Sequence, residues 1–510
     1  MLGAGFGGCL LGLALARQGK SVVMLDRGTH PRFAIGESST PLADFLLEQL
    51  ADSYGLPELK PLCRWGSWQA TYPHLQAGKK RGFSYFSHQP GEEFRETASY
   101  QHSLLVAASV DDARSDTHWM RSDVDAWMCQ LAEQAGVRWL DHSAAQRVLK
   151  TAAGWRLEGS RTSSSKESQP WSISCQFLVD ATGGSGWLAQ QLQLSNRNEQ
   201  LRVRTGALFG HFSGVGAMHE VLMQQGLPVE EDPFDADDAA QHHLLGTEGW
   251  SWMLRFGSGV TSVGLVCPSE VLFGLHDPLK RWSRWGDWLR RYPTLSHLMA
   301  DSRLIAPQSP ISQAASGVEL GWIPRISRLW GAAAGQGWAM LPSTAGVVDP
   351  LHSTGIAHTL SGVQRLLEML AHAPQSQPSS AALDAYSTQV VSEILWIDAI
   401  VDVCYIASRR SFSLFTAMCS LYFVAAIHCE RALANRSSMT TGFLCCGSTE
   451  LQQLCEEARL KLQRLPLENT DSQAELAFID WLRQRLAPWN DVGLLDPASR
   501  NRIARSAAPK

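Results

Sequence analysis

The sequence predicts an α/β protein with a parallel-sheet domain at its N-terminus, an inserted mixed-sheet region and a helical C-terminal region. A glycine-rich turn, an apolar helix and a buried strand follow one another within the first 26 residues. Helical periodicity dominates beyond about residue 380. We divide the chain into residues 1–197, 198–328, 329–380 and 381–510, with 62–105 assigned either to the first part or to the second.

Composition excludes several classes of function. The formal net charge is −5 and basic residues are spread along the chain, so we expect neither a nucleic acid nor a membrane surface as partner. Eleven cysteines without regular spacing are typical of reduced cytoplasmic thiols, and no CxxC pair suggests a metal site. No export signal is recognisable, and the apolar stretch that begins at Ser411 is interpreted as a buried helix rather than a membrane span.

The first eight residues, MLGAGFGG, contain a GxGxxG spacing at Gly3, Gly5 and Gly8. An apolar helix follows up to Gly19, and the strand SVVMLD then ends at Asp26. Such glycines allow a tight turn that brings a pyrophosphate to a helix N-terminus, and an acid about 20 residues later can bind a ribose hydroxyl. The sequence therefore predicts a dinucleotide site.

A complete strand normally precedes this fingerprint, whereas here only two residues do. We interpret the first strand as truncated, and we expect the natural chain to begin several residues upstream or Met1 to be a misassigned initiator.

Two later segments have the features of cofactor-contacting turns. In VDATGG a strand ends in small residues, which permits close backbone approach at Ala181, Thr182 and Gly183. The segment DPLHSTGIAHTL precedes an apolar helix whose first N–H groups favour an anion. Ordinary strand ends and helix caps are the alternatives.

These motifs, together with GES in RFAIGESSTP, resemble the flavin-dependent halogenases, the tryptophan halogenase-like branch of the FAD-dependent monooxygenase superfamily. The resemblance implies a glutathione-reductase-like Rossmann FAD domain with an inserted substrate domain. It implies halide binding at Thr354 and Gly355. The predicted FAD-binding residues are Gly3, Gly5, Gly8, Asp26, Gly36, Glu37, Ser38, Arg121, Ala181, Thr182, Gly183, Asp349, Pro350, Gly355 and Ile356.

The chain departs from the family pattern W-x-W-x-I-P. It keeps Trp250 and Trp252 as candidate substrate-facing residues, but Leu254 and Arg255 stand where the family has Ile and Pro. Two tryptophans on one face of a strand are also ordinary core packing.

Two further departures affect the flavin and substrate assignments. Pro342 and Ser343 replace the Gly-Asp pair whose carboxylate holds the ribityl chain in the superfamily. His352, a candidate substrate residue, stands where the tryptophan-specific halogenases have glutamate, which argues against free tryptophan as substrate.

In halogenases a lysine that meets hypohalous acid follows the GES segment. Lys79 and Lys80 in AGKKRGFSYF occupy this region, and only one of them can serve because adjacent residues of an extended segment point to opposite faces. We favour Lys79. Solvated lysines on a polar turn are the alternative interpretation.

The sequence thus predicts a cytoplasmic FAD-dependent oxidoreductase that uses reduced flavin, O₂ and halide on an electron-rich aromatic substrate. A separate flavin reductase is the expected partner, because no second glycine-rich turn for a nicotinamide cofactor is evident, and a homodimer is left open. Alternatives are a flavin-dependent hydroxylase or double-bond reductase on the same fold, and a non-catalytic flavin-binding protein.

Overall fold

The structure is a computed structural model that describes residues 1–162, 167–305, 319–371, 377–467 and 472–509. Its strands, in chain order, are β1 Val23–Leu25, β2 Ala77–Lys80, β3 Gly82–Ser87, β4 Ser103–Ala107, β5 Asp116–Trp119, β6 Arg138–Leu140, β7 Ser143–Thr151, β8 Gly154–Thr162, β9 Ser168–Cys175, β10 Leu178–Asp180, β11 Thr205–Ser213, β12 Ala240–Leu244, β13 Trp250–Arg255, β14 Val260–Pro268, β15 Arg303–Ile305, β16 Gly321–Ile323, β17 Arg328–Leu329, β18 Ala334–Gly335, β19 Trp338–Met340, β20 Gly346–Val347 and β21 Arg502–Ile503.

The α-helices connect and cover these strands. They are α1 Phe6–Arg17, α2 Pro41–Tyr54, α3 Trp65–Thr71, α4 Arg121–Gln134, α5 Trp187–Gln191, α6 Met218–Gln224, α7 Ser269–Leu272, α8 Pro278–Arg291, α9 Pro293–Leu298, α10 Pro342–Ala345, α11 Gly355–Ala371, α12 Ser380–Ser408, α13 Phe412–Ala434, α14 Thr449–Arg464 and α15 Ser472–Leu486.

A parallel sheet forms one layer of the fold, and the first residues of the chain lie at its centre. β1 pairs in parallel with β6, and β10 pairs in parallel with β19. Leu2 joins the two pairs through parallel bridges to Leu25 and Asp180. The N–H of Leu2 donates to the carbonyl of Val179 at 2.8 Å. The residues before the glycine turn therefore lie between β1 and β10, in the place of the first strand that normally precedes this motif.

A nine-stranded mixed sheet forms the second layer, in the order β15, β11, β14, β13, β12, β3, β4 and β21, with β16 also paired to β11. It takes strands from residues 82–107 as well as from 205–305. Side chains alternate between its faces. Phe83 and Trp250 belong to the core shared with the parallel sheet and the C-terminal helices, whereas Phe86 and Met253 belong to a second core. The domain boundaries given above stay a prediction.

The C-terminal helices α12 and α13 pack against each other and against the parallel-sheet domain. Ser379 and Ser411 cap them, since their side chains accept hydrogen bonds from the N–H groups of Ala382 and Leu414. Of the described helices, α13 is long and apolar enough to cross a membrane, but 83% of its most apolar window is buried inside the protein. This burial confirms the prediction of a core helix.

The sequence predicted a helical region over residues 381–510, but the structure is not helical to the end of this region. After α15 the chain returns to the nine-stranded sheet, where β21 pairs in parallel with the edge strand β4. The unpaired N–H and C=O groups of an edge strand favour such an addition, and a two-residue strand leaves no periodic signal in the sequence.

Candidate active site

The glycine turn before α1 contains three glycines with different surroundings. Gly3 has φ +94°, and a Cβ there would lie 2.5 Å from the carbonyl oxygen of Ala181. A Cβ on Gly8 would lie 2.3 Å from the carbonyl oxygen of Gly3. At Gly5, by contrast, the nearest atoms to a Cβ are the Asp125 carboxylate at 3.7 Å and the Arg121 guanidinium at 3.8 Å. Gly3 and Gly8 are thus required by packing, whereas a Cβ on Gly5 would be in ordinary van der Waals contact with the Arg121–Asp125 pair, at the start of a helix without a side-chain cap.

Asp26 braces this turn from the end of β1. Its carboxylate accepts hydrogen bonds from the N–H groups of Ala4 and Gly28, both at 2.9 Å, and pairs with Arg32 at 2.9 Å. His30 Nε2 lies 2.7 Å from the carbonyl oxygen of Ala4 on the same turn. A carboxylate offers about four acceptor sites. Asp26 therefore still has capacity for a ribose hydroxyl while it holds the turn.

Arg121, at the start of α4, holds the GES segment. Its guanidinium forms a two-pronged pair with Asp125, with both N···O distances 2.8 Å. A third nitrogen donates to the carbonyl oxygens of Ile35 and Gly36, each at 3.0 Å. The guanidinium also lies 4.8 Å from the ring of Phe6 at the start of α1. Arg121 thereby fixes the position of Gly36 relative to the glycine turn.

Glu37 and Ser38 point toward the other layer of the fold. The Glu37 carboxylate, which is buried, lies 2.6 Å from His211 Nε2 on β11. Ser38 forms an isolated antiparallel bridge with His118 on β5. The Glu37 contact joins the GES segment to β11 of the nine-stranded sheet, and the Ser38 bridge joins it to the β2–β5 pair.

The turn after β10 lies beside α10. Thr182 donates from both its N–H and its hydroxyl to Asp180, at 2.9 and 2.6 Å, and the N–H of Gly183 donates to the Thr344 hydroxyl at 3.0 Å. Gly183 has φ +63°, and a Cβ there would meet no described atom within 4 Å. Ala181 packs against Gly3, as described above. The turn is therefore open on the side where a cofactor could approach.

Arg328 contacts Ser343, the residue that stands where the superfamily has the carboxylate that holds the ribityl chain. Its guanidinium donates to the carbonyl oxygen of Ser343, and it lies 3.9 Å from the position of a Cβ on Gly184. Burial lowers its pKa to about 10. Within the described ranges its Nε has no hydrogen-bond partner. A buried cation beside this turn complements an anionic ligand.

The segment from Asp349 to Ile356 forms a tight turn into α11. The buried Asp349 carboxylate accepts hydrogen bonds from Thr205 at 2.5 Å and from Tyr405 and the N–H of Leu351 at 3.0 Å. Burial raises the pKa of Asp349 to about 6 despite these donors. The N–H of Ser353 donates to the carbonyl of Pro350 at 3.0 Å. Asp349 thus anchors the turn to β11 and α12.

The start of α11 is open. Thr354 is nearly buried, but Gly355 is exposed, and a Cβ on Gly355 would meet no described atom within 4 Å. The first N–H groups of a helix have no acceptor within the helix and carry a partial positive charge. This end of α11 can accept an anion or a polar ring edge.

The described residues fit FAD. Four of the predicted glycines, at positions 5, 36, 183 and 355, would each carry a Cβ that meets no described atom closer than 3.6 Å. They lie at the beginnings of α1 and α11 and in the turns between, where backbone can approach a flat or phosphorylated ligand closely. The donor set adds an uncapped helix end, Asp26 and the buried Arg328. This combination suits a pyrophosphate and a ribose.

The two candidate lysines differ sharply. The Lys79 ammonium pairs with Asp112 at 2.6 Å and with Asp238 at 2.8 Å. These carboxylates raise the pKa of Lys79 above its ordinary value, although partial burial acts in the opposite direction. Lys80 is fully buried, donates to the carbonyl oxygen of Ser39 at 2.5 Å and lies 4.2 Å from the centre of the Phe83 ring. The alternation of β2 thus directs Lys79 to the surface and Lys80 inward.

The two tryptophans of β13 both lie on the inner face, but their indole N–H groups bond to the protein. Trp250 donates to the Tyr405 hydroxyl at 2.6 Å, and Trp252 donates to Ser262 at 3.1 Å. Through Tyr405, Trp250 is linked to Asp349 and so to the turn before α11. Where the family has proline, Arg255 pairs with Asp237 at 2.9 Å.

An enclosure of rings connects Lys80 with this turn. The Phe83 ring lies 6.2 Å from Tyr422, and Tyr422 stacks on His352 with a separation of 4.4 Å and an angle of 4°. His242 stacks between Tyr85 and Trp250, at 4.9 and 4.7 Å. Burial lowers the pKa of His242 and of His352 to about 3, so both imidazoles are neutral.

Several of these residues are not apparent from the sequence. His30, Arg328, Tyr405 and Tyr422 act through contacts with residues distant in the sequence, and neither they nor Asp125 belong to a recognised motif. The pairing of Arg121 with Asp125 has a local signal, since residues four apart meet on one face of a helix.

Comparison with known proteins finds similar sequences. No protein-family model matches it. It is 25% identical to tetracycline 7-halogenase of Kitasatospora aureofaciens over 446 residues, which cover 86% of this chain and 75% of that one. It is 23% identical to monodechloroaminopyrrolnitrin halogenase PrnC of Pseudomonas fluorescens over 498 residues, which cover 91% and 80% of the two chains. Over most of its length the chain is therefore similar to halogenases.

Solved structures of halogenases share the fold of this chain. A single-site variant of the halogenase PltM in complex with FAD superposes with a TM-score of 0.83, at 20% identity and over 98% of both chains. The flavin-dependent halogenase CmlS gives a TM-score of 0.56 at 14% identity, over 95% of this chain and 76% of that one. The predicted α/β fold is therefore confirmed.

Proposed function

We propose that this protein is an FAD-dependent halogenase that acts on an electron-rich aromatic compound. The observation that carries the proposal is the continuous path of side chains from Lys80 through Phe83 and Tyr422 to His352, which leads to the open start of α11. The named relatives support halogenation over a hydroxylase, a double-bond reductase or a non-catalytic flavin protein.

FAD would be held by the open glycine positions and their neighbours. The uncapped N-terminus of α1 would face the pyrophosphate and Asp26 would accept a ribose hydroxyl, while Arg121 fixes Gly36 beside them. Arg328 supplies a positive charge on the side where Ser343 replaces the superfamily carboxylate. When bound, reduced FAD supplies the electrons with which O₂ is activated to oxidise a halide to hypohalous acid.

The N–H groups of Thr354 and Gly355 would bind the halide. They lie at the start of α11, where the partial charge of the helix end favours an anion. Asp349 holds the preceding turn in place through Thr205, Tyr405 and Leu351.

Lys80 rather than Lys79 would guide the hypohalous acid. An amine can donate a hydrogen bond to that acid or form a haloamine only if it projects into a site from which water is excluded. Lys80 is fully buried against Phe83, whereas both carboxylates around Lys79 hold its ammonium at the surface. This assignment reverses the preference for Lys79 drawn from the sequence.

The ring enclosure would receive the substrate. Tyr85, His242, Trp250 and Tyr422 would provide apolar rings, and His352 Nδ1, which has no hydrogen-bond partner among the described residues, would provide a hydrogen-bonding nitrogen without charge. Such a lining favours an uncharged aromatic ring. A separate flavin reductase would supply reduced FAD, and a cytoplasmic location agrees with the buried, reduced thiols.

A product assay tests the proposal. The protein is incubated with FAD, a flavin reductase, NADH, O₂ and bromide, and simple phenols and indoles are analysed by mass spectrometry for bromine incorporation. We expect brominated products from the unchanged protein. Oxygenated or hydrogenated products, or none, would contradict the proposal.

Two neighbouring variants form a matched pair in this assay. Lys80→Met keeps the length and burial of the side chain but removes the amine, and we expect at least about a 100-fold loss of brominated product with unchanged FAD affinity. Lys79→Ala removes a surface charge pair and is expected to retain activity within about threefold. Retained activity in Lys80→Met would place the lysine elsewhere.

A further inference from the structure

Three soft donor atoms meet where the turn before α11 touches α12 and α13. The side chains of His352, Cys404 and Cys419 place one ligand atom each within 4.8 Å of one another. His352 Nε2 lies 3.6 Å from the Cys404 Sγ. All three side chains are almost completely buried, with exposed fractions of 1%, 0% and 0%.

The distance between His352 Nε2 and Cys404 Sγ matches that between two ligands of one metal ion. Tetrahedral zinc has bonds of about 2.3 Å to sulfur and about 2.0 Å to nitrogen, which separates a thiolate from an imidazole nitrogen by about 3.5 Å. The observed separation of 3.6 Å agrees with this value. The stack on Tyr422, with its angle of 4°, fixes the imidazole plane and holds Nε2 toward the thiols.

The chemistry of the three groups also suits a metal. Imidazole nitrogens and thiolate sulfurs are the usual protein ligands of zinc. A divalent ion with two thiolates and one imidazole carries no net charge, and such a complex is tolerated where a single charge is not.

A second cluster provides an internal comparison. Cys9, His30 and Cys129 also place ligand atoms within 4.8 Å of one another. There, however, His30 Nε2 and Cys9 Sγ both approach the carbonyl oxygen of Ala4, at 2.7 and 3.3 Å. These two atoms brace the glycine turn, so a metal ion in this cluster would compete with the contacts to Ala4.

We propose that His352, Cys404 and Cys419 form a binding site for a soft divalent metal ion of the zinc type. Binding transfers one proton from each thiol to the solvent and requires no oxidant or reductant. The described residues supply three ligands, and a small exogenous ligand completes the tetrahedron. The three ligands are far apart in the sequence, so the site has no CxxC motif by which it could be predicted.

The site would fasten the turn before α11 to the two C-terminal helices. Occupancy therefore stabilises the folded state, because the ion binds the native arrangement and not the unfolded chain. The effect of occupancy on halogenation rests on the proposed function, whereas metal binding itself does not. The two can thus fail separately.

Metal binding is tested on the whole, reduced, metal-free protein. Zn²⁺ is added in a buffered series, and native mass spectrometry measures the stoichiometry while thermal unfolding measures stability. We expect one tightly bound equivalent, a rise in the melting temperature of about 5 °C, and protection of Cys404 and Cys419 from alkylation. A protein that binds no Zn²⁺, or binds only Cu⁺ in a parallel anaerobic series, would overturn the proposal.

Single substitutions assign the site. Cys404→Ser, Cys419→Ser and His352→Gln should each lower the affinity for Zn²⁺ by at least about 100-fold, whereas Cys129→Ser in the second cluster should keep it. Loss of the bound equivalent in Cys129→Ser alone would place the metal at the other cluster and refute the assignment. The alkylation pattern of the unchanged protein gives the same information if a variant does not fold.

Discussion

At the scale of single residues, Gly3, Gly5 and Gly8 share one motif but are glycines for different reasons. Positive φ and the Ala181 carbonyl exclude a side chain at Gly3, and the Gly3 carbonyl excludes one at Gly8. Gly5 has φ −75° and ψ 171°, a conformation that any residue adopts, and a Cβ there would be in ordinary van der Waals contact with Arg121 and Asp125. Only Gly5 therefore reports on a ligand rather than on packing.

The replacement Gly5→Val should separate FAD binding from folding. Valine accepts the extended backbone at this position, but its methyl groups would fill the space that a pyrophosphate needs. We expect FAD affinity to fall by at least about 100-fold, measured by flavin fluorescence, while the melting temperature of the FAD-free protein changes by less than about 2 °C.

Gly3→Ala is the contrasting variant. A Cβ at 2.5 Å from the Ala181 carbonyl would displace the centre of the parallel sheet, so this protein should melt at a clearly lower temperature even without FAD. If Gly5→Val retained full FAD affinity, the pyrophosphate would not lie at the start of α1.

At the scale of elements, one buried carboxylate joins three segments. Glu393 on α12 accepts hydrogen bonds from His358 and Arg365 on α11, at 3.1 and 2.7 Å, and from the N–H of Phe443 at 2.9 Å. Burial alone would raise the pKa of Glu393, but Arg365 and His358 outweigh it and lower the value to about 2. The carboxylate is therefore stabilising in its charged form.

Glu393→Gln should destabilise the protein in a pH-dependent way. The folded-state pKa of about 2 lies below the ordinary value of 4.5, so the stabilisation is complete above pH 4.5 and is lost as the pH falls toward 2. Its size at neutral pH is about 2–3 kcal/mol. Urea unfolding of both proteins at pH 7 and at several values below 4.5 should show the difference shrinking with falling pH.

The exposed carboxylate of Asp384 on the same helix provides the control. Asp384→Asn should change the free energy of unfolding by less than about 0.5 kcal/mol. A Glu393→Gln difference that stayed constant down to pH 3 would mean that lost packing, not lost charge, causes the destabilisation.

The sequence predicted the elements that repeat a local pattern. The glycine turn, α1, β1 and the helical character of α12 and α13 follow from periodicity and from turn residues within short windows. β21 could not be predicted, because its two residues form a strand only by pairing with β4, which lies about 400 positions earlier in the sequence. The choice between Lys79 and Lys80 likewise depends on which face of β2 is covered, and this is decided by Asp112, Asp238 and Phe83 together.

The site was predicted to a similar extent. Motif residues such as Gly5, Gly183 and Gly355 were selected because they stand in short glycine-containing patterns, and their role in binding stays a prediction. The partners that hold them, among them Tyr405 and Arg328, have no fixed sequence spacing from the motifs. The role of Trp250 in the link through Tyr405 to Asp349 also needs the packing of α12 against β13.

At the scale of the whole molecule, residues 501–506 cover the β4 edge of the nine-stranded sheet. The N–H of Leu105 on β4 donates to Asn501 at 2.9 Å, and the N–H of Ser506 donates to Ala107 at 2.7 Å. Arg502 pairs with the nearly buried Asp232 at 2.6 Å. β4 neighbours β3, which carries Phe83 and Tyr85 of the ring enclosure.

A chain shortened to end at residue 499 should therefore be less stable and more prone to aggregate. It exposes the edge of β4 and leaves Asp232 without its cation, which is costly for a buried carboxylate. We expect a melting temperature lower by about 5 °C or more and concentration-dependent light scattering. FAD affinity should stay within about threefold, because the open glycines lie on the parallel sheet and not on this edge. A chain that ends at residue 508 keeps every one of these contacts and serves as control. Equal melting temperatures for the two shortened chains would show that the tail lies on the sheet without stabilising it.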